Sequence, residues 1–152
     1  MSSEIKVLYI TNHSEQTIKS KPDNFAYYVK SMMSNKHIDL CLLKPSSFAE
    51  RRGISNTISI VKAIRRINPD ILYLGNLTGL NKLVFFKRIG LLRCKIVVWK
   101  YTYCKEYKNP LKDWITKFFY WKGIDRIYMM FDNHTSHAIS HHIVDEHQIV
   151  TL

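Results

Sequence analysis

The chain has 152 residues, of which 46% are hydrophobic and 23% charged; that balance excludes a disordered polymer and suffices for one domain burying about two-thirds of its unfolded surface. Lysine and arginine number 23 against 12 aspartates and glutamates, a net charge of +11, so the expected partner is anionic: nucleic acid, phospholipid headgroups or a phosphorylated ligand. Cys41, Cys94 and Cys104 lack CxxC spacing, which argues against a disulfide framework or zinc ribbon and fits a reducing cytosol.

"IKVLYI" (5–10) is an unbroken apolar run ended by the turn-prone "TNHS" and reads as a central strand covered on both faces. The run is too short for a signal peptide, and none in the chain approaches the ~20 apolar residues of a bilayer span. From Asn24 to Lys36, Phe25, Tyr28, Val29 and Met32 share one face of an amphipathic helix, with Asp23 or Asn24 as its cap. "HIDLCLL" (37–43) is the second strand. "SNTISIVKAIRRIN" follows as a helix with Ile58, Val61, Ile64 and Ile67 inward, stopped by Pro69. "DILYLG" is the third strand.

"LNKLVFFKRIG" reads as a helix closed by Gly90, and "KIVVWKY" (95–101) as the fourth strand. The next helix runs from Pro110 to Lys122, with Pro110 at its first position and Gly123 as C-terminal cap. "DRIYMMF" is the fifth strand, "DNHTSHAISHHIV" a short helix opening on an Asp or Asn cap, and "QIVTL" the sixth strand. Strands alternating with helices predict right-handed βαβ units: a single α/β, Rossmann-like domain over 1–152 with a parallel sheet of about six strands and helices on both faces.

Such sheets bind ligands outside the carboxyl ends of their strands. The segments there are Thr11–Ser14, Gly75–Gly79, Tyr101–Cys104 and Asp132–Ser136, rich in groups that hydrogen-bond sugars and other hydroxylated molecules. From them Asn12, His13, Asn76, Thr78, Tyr101, Thr102, Asp132 and Asn133 are the candidate substrate-binding residues; polar βα loops are equally what turn and cap chemistry demands. There is no GxGxxG after the first strand and no P-loop motif, which argues against a dinucleotide or P-loop site. His137 and His141 are four apart, without the Glu of HExxH, so no metal is expected. No GxSxG elbow is present and no catalytic residue is assigned.

The stretch from Leu83 to Gly123 holds all three tryptophans and is strongly basic. On the helix from Pro110, Leu111, Trp114, Ile115, Phe118 and Phe119 form one stripe. It reads either as a core-facing stripe or as a surface for anionic lipid carried by Trp114, Lys117, Phe118, Trp121 and Lys122. No RNP, KH or helix-turn-helix pattern supports nucleic-acid binding.

In order, "IKVLYITNHS", "RRINPDILYLGN", "KIVVWKYTY" and "GIDRIYMMFDNHTSHAI…HQIVTL" resemble the N-terminal domain of family-4 glycosyltransferases of the GT-B fold, over the whole chain. The chain differs from the family in lacking a glycine within "NHSEQTIKSKPDNF" and in carrying Tyr101 and Thr102 where many members have a histidine. The resemblance implies an acceptor-side domain for sugar transfer from a nucleotide sugar in bacterial cell-surface polysaccharide synthesis. The ExxxxxxxE segment and basic pair that bind the donor belong to the family's C-terminal domain, absent from this sequence, so a truncated or split half is implied. No cofactor is expected, because the donor binds mainly the missing domain. The implied partners are a sugar or lipid-linked acceptor, an anionic membrane surface and a separate donor-domain chain, with a cytoplasmic location, peripheral to the inner face of the membrane. Catalysis needs both halves in register, so no transferase activity is expected from this chain alone. Two alternatives stand: a non-catalytic module completing a split enzyme, and an anionic membrane- or nucleic-acid-binding domain.

Overall fold

The computed structural model describes residues 4–20, 23–45, 54–75, 81–100, 108–129 and 131–150. In chain order the elements are β1 (Ile5–Ile10), α1 (Glu15–Ser20), α2 (Asp23–Ser34), β2 (Ile38–Leu43), α3 (Ile54–Ile67), β3 (Ile71–Leu74), α4 (Asn81–Arg88), β4 (Lys95–Lys100), α5 (Pro110–Phe119), β5 (Arg126–Met129), α6 (Asp132–Ser140) and β6 (Ile149–Val150). The protein is α/β: six parallel strands in the order β2-β1-β3-β4-β5-β6, flanked by helices, a Rossmann-like arrangement. The order reverses direction at β1, which is therefore interior, as its apolar run requires. The chain divides into two compact units, Met1–Tyr73 and Leu74–Leu152.

In the first unit β1 and β2 pair in parallel, Leu8 opposite Cys41 and Tyr9 opposite Leu42. Tyr9, Leu40, Leu42 and Tyr73 pack against Ile18 of α1 and Val29 of α2, with Met32 and Met33 beside them. Leu8 and Ile10 alternate to the other face and are fully buried; burying side chains of this size contributes about 1.5–3 kcal/mol each. Helix α1 is not evident in the sequence, since Ile18 is its one apolar residue; Ser14 starts it, its Oγ accepting from Thr17 N at 3.2 Å. The inward face of α3 is Ile60, Val61 and Ile64, whereas Ile58 is 42% exposed. Val61 and Ile64 face inward as the spacing predicts and Ile67 is half-buried; at about 100° per residue Ile60 lies beside Ile64, and it takes the buried place expected of Ile58. Asn68 ends α3 at φ 51°, and its N–H donates to Ile64 O at 2.8 Å; asparagine tolerates this left-handed conformation, and Pro69 then forbids continuation. The side chains of Phe25 and Tyr28 lie outside those described.

The second unit's core is built from Leu83 and Val84 of α4, Ile96 and Val98 of β4, Ile127 and Met129 of β5, Ala138 of α6, and Ile143 and Val144 after it. Trp99 and Tyr128 are register partners across β4 and β5 and stack at 5.9 Å. Gly90, at φ 80°, closes α4, and Leu91 N bonds to Phe86 O at 2.9 Å. Asn109 caps α5, its side chain accepting from Lys112 N, with Pro110 first in the helix.

Gly123 is not the C-terminal cap of α5. The helix ends at Phe119, and Gly123 lies in a buried 3-10 turn, Trp121–Gly123. A Cβ there would stand 2.5 Å from Val84 Cγ1 and 2.9 Å from Arg88 Cγ, so close packing, not a left-handed φ, excludes larger residues. Helix α6 likewise starts not on an Asp or Asn cap but on extended Phe131, with Asp132 already in its first turn. A second 3-10 turn, Glu146–Gln148, leads into β6, which pairs in parallel with β5. Gln148, 3% exposed, accepts from Asp145 N at 2.8 Å and donates to the carbonyls of Trp121 and Ile124. This one satisfied buried amide anchors the last strand.

Candidate functional site

In the first unit the segment after β1 forms a compact turn at the strand's carboxyl end. Thr11 is buried and its N–H bonds to Leu43 O at 3.0 Å, extending the β1–β2 ladder by one residue. Its hydroxyl accepts from His13 N at 3.1 Å, the side-chain-to-backbone closure that threonine favours in turns. Asn12 is exposed at the apex, His13 is half-buried, and Ser14 leads into α1. Tyr9, two residues back, also bonds Thr11; burial pushes its phenol pKa up, and that hydrogen bond partly offsets the rise.

In the second unit Asp132 and Asn133 sit exposed in the first turn of α6, directly after β5. The helix amino end is electropositive and favours a carboxylate there. Behind them the Phe131 and His134 rings meet edge to face at 5.1 Å. Gly75 follows β3 at once. Asn76, Thr78, Tyr101 and Thr102 lie outside the described residues. The assigned residues Asn12 and His13 therefore stand on the turn after β1, and Asp132 and Asn133 on the first turn of α6. Thr11 and Ser14, which shape the β1 turn, went unassigned. Their signal was available: the threonine two residues before His13 and the Ser–x–x–Thr spacing before Ile18.

The stripe on α5 is outward. Leu111 is 66% and Trp114 57% exposed, Ile115 and Phe118 are exposed too, and only Phe119 turns inward, 5.5 Å from Phe85. Trp114 and Phe118 stack face to face at 5.4 Å, and the Arg88 guanidinium sits 4.5 Å from the Phe118 ring. A core-facing stripe is thereby overturned for four of the five residues. The reason is that α5 turns its Thr116 inward, that residue being buried and its hydroxyl bonded to Lys112 O. Of the five residues assigned to a lipid-facing surface, Trp114 and Phe118 are exposed. Trp121 is buried in the 3-10 turn, so its ring cannot meet a membrane. Lys117 is held by Asp113 at 2.8 Å and donates to His141 O at 3.1 Å, and Lys122 lies 3.4 Å from Asp145.

The His137 and His141 rings lie against each other at a tilt of 36°, with centroids 4.2 Å apart. Among the described residues no group of three His, Cys, Asp or Glu side chains is placed to hold a metal ion, and no helix is long and apolar enough to cross a membrane. Cys94 is buried, which pushes its thiol pKa up; Cys41 is half-buried on β2.

No protein-family model matches this chain, and no curated protein matches it significantly.

Proposed function

We propose that the chain is the acceptor-side half of a glycosyltransferase of cell-surface polysaccharide synthesis, working with a donor-binding domain that holds the nucleotide sugar. The observation that supports this is the parallel sheet whose order reverses at β1, with Asn12 and His13 after β1 and Asp132 and Asn133 after β5. Hydrogen-bonding side chains and one carboxylate at strand carboxyl ends suit a hydroxyl-rich acceptor. The test is titration of the labelled protein with sugar and lipid-linked sugar acceptors, read by backbone amide shifts. Shifts centred on residues 11–14 and lost in Asn12→Ala, or centred on residues 132–134 and lost in Asp132→Ala, are the expected result. Saturable turnover of a nucleotide sugar by the chain alone would sink the proposal, as would the absence of any acceptor shift.

A second reading rests on α5. Leu111, Trp114, Ile115 and Phe118 present an exposed apolar face on a protein of charge +11, which suits peripheral association with the anionic, cytoplasmic face of a membrane. Sedimentation with phosphatidylglycerol vesicles, lost in Trp114→Ala/Phe118→Ala, is its test; equal sedimentation of that double variant removes it.

A further inference from the structure

The amino ends of β4 and β5 and the turn into β6 border a cavity of about 650 Å³ in the second unit, lined by Lys87, Arg88, Lys95, Lys122, Arg126 and His147. We propose that this cavity binds a phosphate-bearing polyanion. The proposal does not depend on the acceptor-domain reading, because the cavity lies at the opposite strand ends from Asp132 and Asn133.

Three observations carry it. The first is charge: five lysines and arginines line the cavity against one carboxylate, Asp125. That carboxylate is already committed, pairing with Lys87 and accepting from Ile96 N at 2.6 Å. Lys122 has only a 3.4 Å contact to Asp145. Arg126 spends one N–H on the carbonyl of Asp125 at 2.9 Å, and a guanidinium has five. Among the described residues Arg88, Lys95 and Arg126 make no ion pair, so the cavity keeps an excess of cations. A bound multivalent anion relieves that repulsion.

The second is where the cations stand. Lys87 and Arg88 fill the last turn of α4, where the helix dipole alone favours them. Lys95 and Arg126 open strands, and His147 sits in the turn before β6; no helix end asks for a cation there. Convergence of α4, β4, the Trp121–Gly123 turn and β5 on one cavity is a tertiary arrangement, and its size suits a small ligand.

The third is a fixed wall. Gly123 lines the cavity and has no room for a Cβ against Val84 and Arg88. Gln148 is locked by its bonds to Asp145, Trp121 and Ile124. Binding on such a wall costs little ordering. Arg88 also reaches the Phe118 ring on α5, so the phosphate has two natural sources: a soluble phosphorylated molecule, or a lipid headgroup whose chains would meet the aromatic face.

The test uses the full chain and inorganic pyrophosphate as probe, by calorimetry and thermal shift, with sulfate at matched ionic strength as control. Saturable binding is expected, with affinity falling about tenfold or more in Lys95→Glu/Arg126→Glu, as loss of charge-assisted bonds to phosphate requires. Arg65→Glu/Arg66→Glu on the exposed end of α3 should leave it unchanged. Because Lys95 and Arg126 are exposed, the reversals should fold, as circular dichroism will check; Lys95→Gln/Arg126→Gln replaces them if they do not. Phosphatidic acid vesicles separate the sources. Pyrophosphate that displaces the protein from vesicles assigns the cavity to a headgroup, and binding of pyrophosphate without vesicle binding assigns it to a soluble phosphate. Equal affinity in the reversal and wild type, equal weakening by the α3 control, or equal response to sulfate would each overturn the proposal.

Discussion

Asp70 and Asp125 perform the same closure, one in each compact unit, in very different surroundings. Asp70 Oδ2 accepts from Lys6 N at 2.8 Å while its own N–H donates to Lys6 O at 2.9 Å. Asp125 Oδ2 accepts from Ile96 N at 2.6 Å and its N–H donates to Ile96 O at 2.9 Å. Each aspartate directly precedes a strand and ties it to the start of another, so "PDILYL" and "IDRIYM" encode one backbone device twice. Asp70 is exposed, and water can replace much of what it does. Asp125 is half-buried and pairs with Lys87 beside a cavity of cations. An identical hydrogen-bond pattern therefore carries unequal energetic weight, because the cost of losing a carboxylate depends on what charge and which N–H it leaves behind.

The sharpest way to break this comparison is to truncate both. Asp125→Ala should destabilise by about 2–3 kcal/mol and Asp70→Ala by about 1 kcal/mol, read from urea midpoints; equal losses would mean that the surroundings do not matter. Gly90 and Gly123, both in the second unit, separate sterics from conformation in the same way. Gly123→Ala should cost about 2 kcal/mol by overlap with Val84, whereas Gly90→Ala, with open space around its Cβ but φ at 80°, should cost about 1 kcal/mol.

Smaller effects probe burial in each unit. The Tyr9 pKa is raised in the folded state, so the contribution of its neutral form is intact below the unfolded tyrosine value of about 10 and is lost as pH climbs through the folded value. Stability should therefore fall above about pH 10, and less steeply in Tyr9→Phe, as measured by melts from pH 8 to 11. Iodoacetamide at pH 8 should alkylate Cys41 before Cys94, whose thiol is buried with its pKa raised; peptide mapping reads the order. Trp114→Ala should leave stability within about 0.5 kcal/mol, since its ring is exposed.

Part of the candidate site could be read without coordinates. The turn after β1 and the start of α6 follow from apolar runs that stop at "TNHS" and "DNHTS", since a strand buried on two faces must end where polar groups begin. The cationic cavity could not be read that way. Lys87, Lys95, Lys122 and Arg126 are scattered over forty positions among many other cations, and only the stacking of βα units brings them to one wall. Trp121 and Trp114 illustrate the same limit, seven residues apart in one basic aromatic stretch, one buried and one exposed.

Periodicity and punctuation alone determined the alternation of strands and helices, the parallel class of the sheet and the interior place of β1, because backbone hydrogen bonding and apolar alternation are local properties of the chain. Tertiary structure alone decided that Ile60 and not Ile58 of α3 is buried, that α5 turns its aromatic stripe to solvent, that Gly123 is a packing requirement, and that β6 is fastened through the buried amide of Gln148. Those outcomes depend on which surface arrives opposite a residue, and a sequence pattern records the residue but not what meets it.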